Sequence, residues 1–167
     1  MRIGLGYDSH RFNGSKGGVT LGGVTIPHRQ GLRGHSDADV LLHAIADALL
    51  GAIGAPDLGE LFPSSNPAYR GADSRRFVRE AYRRVRQAGW GVANLDATVV
   101  ADSPSLSPHK AKIRQTIARL LEVRPSDVSV KAKTTEGLPP GKAGIAAQAV
   151  VLLKKQTPAS LRKRRQA

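Results

Sequence analysis

The chain has 167 residues, 40% of them hydrophobic and 4% aromatic, with a formal net charge of +13 and no cysteine. That length suits one domain with an ordinary core, and the apolar content argues against disorder. The missing thiols exclude disulfides and cysteinyl metal sites, so any transition metal must be held by imidazole and carboxylate. Six of the positive charges, Lys154, Lys155, Arg162, Lys163, Arg164 and Arg165, fall in the last fourteen residues, which contain no acid. The +7 left before them suits phosphate ligands but is not a nucleic-acid footprint. The expected organisation is one catalytic domain over residues 1–153 and a basic, solvated, disordered tail over 154–167, which could touch polyanions non-specifically. Met1-Arg2-Ile3-Gly4 lacks the longer apolar stretch of a secretory signal, which predicts a cytoplasmic protein.

In chain order, Arg2 to Tyr7 alternates with apolar residues at Ile3, Leu5 and Tyr7 and reads as a strand. Val19 to Leu21 and Val24 to Ile26 flank Gly22-Gly23, a hairpin signal. At Ser36 the period changes. Ser36-Asp37-Ala38-Asp39 resembles a capping box with Asp in place of Glu, and an apolar run follows to Gly51. The window from Val40 to Ala55 is apolar enough to suggest a membrane span, but Asp47 and two glycines interrupt it, so it predicts a buried helix and no membrane partner. A Gly-, Pro- and Ser-rich loop spans Gly54 to Gly71. Ser74 to Gln87 then puts Phe77, Val78, Ala81, Tyr82 and Val85 on one stripe of a second helix, with arginines opposite and Gly89 as its stop. Leu95 to Ala101 predicts a strand, and Pro108 to Glu122 a third helix with Ile113, Ile117, Leu120 and Leu121 inward. Val128 to Ala132 and Ile145 to Leu153 predict two more strands. The fold class that follows is α+β: a mixed four-stranded sheet with helices packed on one face, plus a small β-hairpin.

The residues able to do chemistry cluster in this pattern. Asp8 and His10, two apart in extended chain, point the same way about 7 Å apart. Alone, Asp-x-His most often marks a turn with a solvated histidine. The first helix adds Asp39, His43 and Asp47, four apart and so on one narrow polar stripe of an otherwise apolar helix. A lone histidine there would read as a hydrogen-bonded core residue, but two carboxylates flank it and His35 stands at the predicted helix start. Asp8, His10 and His43 with an open fourth position describe a catalytic zinc site. Asp39 or Asp47 would support it, bonded to a liganding histidine's outer nitrogen or to backbone donors. His35 would face substrate, and the helix amino end beside Ser36 would seat a phosphate. A second group, Lys131-Ala132-Lys133-Thr134-Thr135-Glu136, suits a phosphate chain with a divalent cation, although lysines and threonines also decorate exposed strands. Ala101 to His109 is a helix-entry turn whose backbone could read a base edge.

Three segments carry a resemblance: Gly4-Leu5-Gly6-Tyr7-Asp8-Ser9-His10-Arg11-Phe12, His35-Ser36-Asp37-Ala38-Asp39-Val40 with His43-Ala44, and Asp47-Ala48-Leu49-Leu50-Gly51-Ala52. With Gly71-Ala72-Asp73-Ser74 and Lys133-Thr134-Thr135-Glu136, they closely resemble the 2-C-methyl-D-erythritol 2,4-cyclodiphosphate synthase family, from Met1 to about Leu153. The resemblance implies a lyase of the non-mevalonate isoprenoid pathway. It would convert 4-diphosphocytidyl-2-C-methyl-D-erythritol 2-phosphate to the cyclic diphosphate and release CMP. It also implies a homotrimer with sites between neighbouring subunits. By the same resemblance Asp8, His10 and His43 bind Zn2+, and Glu136 helps hold Mg2+ or Mn2+. His35, Thr134 and Glu136 are the catalytic set. His35 and Ser36 face the phosphates, Asp57 binds the methylerythritol hydroxyls, and backbone around Ala101, Ser105, Leu106, Ala132, Lys133 and Thr134 lines the cytidine pocket. Lys142 completes the substrate contacts, to which Asp8 and His10 also belong.

The sequence departs from the family pattern in three places. Phe62-Pro63-Ser64-Ser65-Asn66-Pro67 replaces the usual Phe-Pro-Asp-Thr-Asp-Pro, Ser105 replaces a lysine, and the stretch after Glu136 is short. Competing readings are an impaired paralogue, a related metal-dependent phosphodiesterase, or a basic RNA-binding domain, the last weakened by having few aromatic stacking platforms.

Overall fold

The computed structural model describes residues 1–14, 17–138 and 143–156, so Lys142 and the end of the tail lie outside the described residues. The first strand, β1, runs Arg2–Arg11, so Asp8 and His10 stand inside it rather than beyond it. β2 (Val19–Leu21) and β3 (Val24–Ile26) form the predicted hairpin. Helix α1 is Val40–Ile53, capped by Asp39, and so begins three residues later than the Ser36 signal suggests. The cause is Asp39, whose buried carboxylate caps α1 by accepting from Leu42 N at 3.0 Å. It also accepts from Gly22 N at 2.9 Å and Gly23 N at 2.6 Å, which staples the hairpin to the helix. Gly54, in the left-handed conformation, ends the helix.

The predicted Gly54–Gly71 loop contains a short helix, α2 (Leu58–Leu61), capped by Asp57, and a 3-10 turn at Pro67–Tyr69. Helix α3 is Arg75–Gln87, and its buried residues are the five predicted from the stripe. Strand β4 is Trp90–Val100, longer at its start than predicted. A 3-10 turn, Ser107–His109, leads into α4, Lys110–Leu120. Ile113, Ile117 and Leu121 are fully buried, whereas Leu120 is only half-buried at the rim of the core. Strand β5 is Val128–Lys133 and β6 is Gly144–Lys155. Lys154 and Lys155 therefore belong to the sheet, opposite Gly91 and Trp90, and the Lys155 ammonium lies 4.8 Å from the Trp90 ring centre.

The sheet order is β1-β6-β4-β5, with β4 and β5 parallel and the other pairs antiparallel. The carboxyl ends of β1, β4 and β5 therefore share one edge. One register line across that edge joins Asp8, Ala147, Val99 and Ala132. The helices cover one face only. Alternate residues there, such as Leu95, Ala97, Val99, Ile145, Ala147, Ala149 and Val151, are buried. The other face is open, and Ile3, Leu5 and Tyr7 are 70%, 59% and 61% exposed. Thus the apolar half of β1 points away from the core.

The reason lies in Gly4 and Gly6, which face α1. A Cβ at Gly6 would collide with the carbonyl of Ala44 and come within 2.6 Å of Ala48 N. One at Gly4 would meet Ala48 O and Ala52. With Ala44, Ala48 and Ala52 on the opposing stripe, helix backbone lies directly on strand backbone. This close approach brings His43, on the first turn of α1, beside Asp8 of β1. Among the described residues, no helix is long and apolar enough to cross a membrane.

Candidate active site

Asp8 and His10 project from the end of β1 into the gap where α1 begins. Asp8 Oδ2 lies 2.9 Å from His43 Nδ1 and 3.0 Å from His10 Nε2, and the two ring nitrogens are 3.3 Å apart. One donor atom from each residue lies within 4.8 Å of the others, a spacing one cation can satisfy. Two imidazole nitrogens and one carboxylate oxygen, open on the cavity side, form the donor set of a catalytic rather than a structural metal site. Burial pushes the Asp8 carboxyl up, but hydrogen bonds from His10 and His43 outweigh it and hold the group well below the usual carboxylate range. The bond to Asp8 in turn raises His10, against its burial. Asp8 is thus kept ionised, as a carboxylate ligand must be.

Behind the cluster the other nitrogen of His43 is also occupied. His43 Nε2 lies 2.9 Å from Ser74 Oγ and 3.1 Å from Ser36 Oγ. Ser74 is fully buried. Its hydroxyl donates to Asp37, and its backbone N–H reaches the other Asp37 oxygen at 3.2 Å. Phe77 of α3 packs beside the His43 ring, with Phe62 and Tyr69 against it, their centroids 4.7 and 5.9 Å from that of Phe77. These rings wall a cavity of about 470 Å³, with Asp8, His10, His35, Ser36 and His43 at its polar end. That volume accommodates a small phosphorylated metabolite. Asp47, one turn after His43, accepts from Leu58 N at 2.8 Å and ties α2 to the cavity rim. His35 is held by its Nε2 bond to Asn66 O at 3.2 Å.

A family model described as the YgbB family matches residues 1–154. The 2-C-methyl-D-erythritol 2,4-cyclodiphosphate synthase of Proteus mirabilis is 51% identical over 159 residues, 94% of this chain and 99% of that protein. The chain belongs to the YgbB family. Among solved structures, a 2C-methyl-D-erythritol-2,4-cyclodiphosphate synthase in its CDP-bound form superposes with a TM-score of 0.85. It is 39% identical and covers 92% of this chain and all of that one. The bifunctional IspDF of Campylobacter jejuni carries the same fold over 42% of its length, with a TM-score of 0.88 and 38% identity. This YgbB chain is therefore a member of an enzyme family whose fold, an α+β mixed four-stranded sheet, is the one described above.

Of the residues that the sequence singled out, Asp8, His10, His43, His35 and Ser36 come together on one cavity. Asp57 does not line it; its carboxylate caps α2 through Glu60 N at 2.8 Å. Ala101, Ser105, Leu106, Ala132, Lys133, Thr134 and Glu136 lie at the far end of the same sheet edge. Three strand spacings separate β5 from β1, about 14 Å. Thr134 donates to the exposed Glu136 carboxylate, and Ala101 N bonds Lys133 O at 2.9 Å. Thr135 is buried on Asp102. Leu106 is buried too, so it can offer a ligand only its backbone. Glu136 thus stands apart from the three-residue metal group.

At the start of α1, where a phosphate seat was expected, Asp39 takes one of the N–H groups an anion could use, that of Leu42. Asp39 and Asp47 both serve backbone donors, not histidine nitrogens. The partners of His43 Nε2 are Ser36, Ser74 and, through Ser74, Asp37, and the sequence reading missed the last two in this role. Their signal was the Gly71-Ala72-Asp73-Ser74 motif, which counted there toward the resemblance and the start of a helix but was given no part in the site.

Proposed function

We propose that this chain converts 4-diphosphocytidyl-2-C-methyl-D-erythritol 2-phosphate to 2-C-methyl-D-erythritol 2,4-cyclodiphosphate with release of CMP, as a cytoplasmic lyase of isoprenoid precursor synthesis. The observation that carries it is the Asp8–His10–His43 group at the mouth of an aromatic-walled cavity, in a chain of this family. In the reaction a 2-phosphate oxygen bonds to the β-phosphorus. The bond from that phosphorus to the CMP oxygen breaks, and CMP departs with the electron pair. No protein nucleophile is needed, so the residues act by placement and charge.

Asp8, His10 and His43 would hold Zn2+, and Glu136, with Thr134 beside it, would hold Mg2+ or Mn2+; bound there, such ions would supply positive charge against the phosphates. His35 and Ser36 fix the phosphates from the cavity rim, while the backbone of Ala101, Ser105, Leu106, Ala132 and Lys133 receives the cytidine. Asp57 and Lys142 complete the contacts. The two half-sites of one chain lie too far apart to share one small substrate, and the open sheet face exposes Ile3, Leu5 and Tyr7. Both features support a homotrimer in which one subunit's metal cluster faces its neighbour's nucleotide loops. The aromatic rings Phe62, Tyr69 and Phe77 pack on one another, which speaks against stacking on RNA.

The test is to incubate the purified protein with the cytidyl substrate and follow CMP by chromatography, beside His43→Ala. We expect turnover in the parent. The variant should lose both turnover and bound zinc while its circular dichroism is kept. A variant with full zinc and activity would overturn the site, and a zinc-loaded parent that releases no CMP would overturn the reaction.

A further inference from the structure

We propose that Ser74 and Asp37 are positioning residues that fix the tautomer of His43, so that its Nδ1 lone pair points into the metal site. The inference rests on the metal reading of Asp8, His10 and His43. A carboxylate only accepts, and a serine hydroxyl has one proton to give. Asp37 lies within hydrogen-bond reach of Ser74 Oγ, and its other oxygen accepts from Ser74 N at 3.2 Å. The hydroxyl proton therefore belongs to Asp37, and Ser74 Oγ is left as an acceptor toward His43 Nε2, 2.9 Å away. That nitrogen must carry the hydrogen.

Ser36 reinforces the assignment. Its Oγ accepts from Ala38 N at 3.2 Å and lies 3.4 Å from Ser74 Oγ, to which it can give its own proton, so a second oxygen, 3.1 Å from the same Nε2, can accept from the N–H. Once Nε2–H is fixed, a neutral His43 has a bare Nδ1, and this atom lies 2.9 Å from Asp8 Oδ2 and 3.3 Å from His10 Nε2. Two lone-pair atoms so close need a positive centre between them, either a shared proton, as in the hydrogen bonds that His10 and His43 give Asp8, or a metal ion in its place. The pairing behind the ring thus creates the demand for a positive centre in front of it.

The local backbone shows that Ser74 is committed to this task. It occupies the cap position of α3, where a serine hydroxyl ordinarily accepts from the helix's own N–H groups, yet it makes no such bond. Fully buried between His43 and Asp37, it transmits the carboxylate's preference across the gap. Metal-binding histidines usually meet a carboxylate or carbonyl directly at the outer nitrogen. Here a serine is interposed, because Asp37 is also held by Ser74 N and by Asp39 N at 3.3 Å.

The test uses the full chain with Ser74→Ala, Asp37→Asn and Ser74→Thr. Zinc affinity is measured by chelator competition, and the His43 ring nitrogens are observed by 15N NMR in the zinc-loaded protein. Ser74→Ala and Asp37→Asn should each weaken zinc by roughly 10–100-fold, the range for lost outer partners. Together they should weaken it little more than either alone, since they act in one line. The side-chain amide introduced by Asp37→Asn can donate to Ser74, which frees the hydroxyl to donate to Nε2. The Nε2–H signal of the parent should therefore be lost or exchange-broadened in that variant. Ser74→Thr, which keeps the hydroxyl, should restore most of the affinity. A merely structural role would lower the melting temperature without moving the ring signals. If the parent binds zinc tightly and both single variants stay within twofold of it, the proposal is overturned and the metal site stands. If the parent takes up no zinc, the metal reading itself falls and takes this inference with it.

Discussion

The two ends of the sheet edge are finished differently. At the β1 end the groups around His43 are partnered within the chain: Asp8 with His10 and His43, His43 with Ser74, Ser74 with Asp37, and Asp47 with Leu58 N. At the β5 end Lys133 and Glu136 are exposed, and among the described residues Glu136 is held by the neighbouring Thr134 hydroxyl alone. One end is built before any ligand arrives; the other offers charge and backbone to whatever comes. Preorganisation is thus concentrated at the group that could grip a small cation. On the proposed function the β5 end, which would take phosphate and nucleotide, can stay open, since larger anionic groups bring their own binding energy.

The sharpest way to break this contrast is to part α1 from β1. Gly6→Val would place a branched side chain against Ala44 O and Ala48 N, backbone atoms that cannot turn away. The helix must lift, taking His43 from Asp8. Overpacking of this kind costs about 3 kcal/mol or more. We expect roughly a 10 °C fall in melting temperature for a chain of this size and loss of stoichiometric zinc. Normal zinc content in a folded Gly6→Val protein would show that the close approach is not what places His43.

The glycine contact also shows how far the sequence could be read. Element types were legible, because hydrophobic period decides them: the five residues striping α3 are the five it buries. The three metal-site residues were legible too, since an acid and two histidines stand out on apolar elements. What escaped depends on contacts distant in sequence. Asp39 was expected to support a liganding histidine or bond backbone donors; its burial against the Gly22-Gly23 turn, which the sequence did not show, decides for the backbone. Ser74 lies 31 positions from His43 and looked like an ordinary helix entry. The outward turn of Ile3, Leu5 and Tyr7 was hidden because apolar alternation does not say which face is the core; the intervening glycines decide it.

A smaller effect sharpens the comparison from the β5 end. Glu136→Gln removes one charge from an exposed carboxylate that touches none of the three metal-site residues. Zinc content and melting temperature should stay at parental values, while the magnesium concentration giving half-maximal turnover should rise severalfold. The readouts are CMP release across a magnesium titration and metal analysis of the dialysed protein. An unchanged magnesium dependence would remove Glu136 from the second ion's site, and a loss of zinc would show that the two ends are coupled within one chain.

The smallest effect is expected beyond the sheet altogether. β6 ends at Lys155, and Gln156 N closes onto Gly89 O at 3.0 Å, so the last described backbone bond of the chain is made there. The eleven residues from Thr157 to Ala167 carry four positive charges, no acid, and only Ala159, Leu161 and Ala167 beside Pro158 as apolar groups. Fixing a backbone costs roughly 1–2 kcal/mol per residue, more than these few side chains recover on burial. Deleting Thr157 to Ala167 should therefore leave zinc content, oligomeric mass and CMP release nearly unchanged. Removing Lys155 as well should cost some stability, because its ammonium sits over Trp90 and its backbone extends the β4–β6 ladder. What the shorter deletion should change is electrostatic: binding to polyanions at low salt weakens, and the difference fades above ~0.15 M salt as the screening length falls to about 8 Å. A truncated protein that dissociates or loses most of its turnover at that salt would make the tail part of the working assembly, and the single domain would then extend beyond β6.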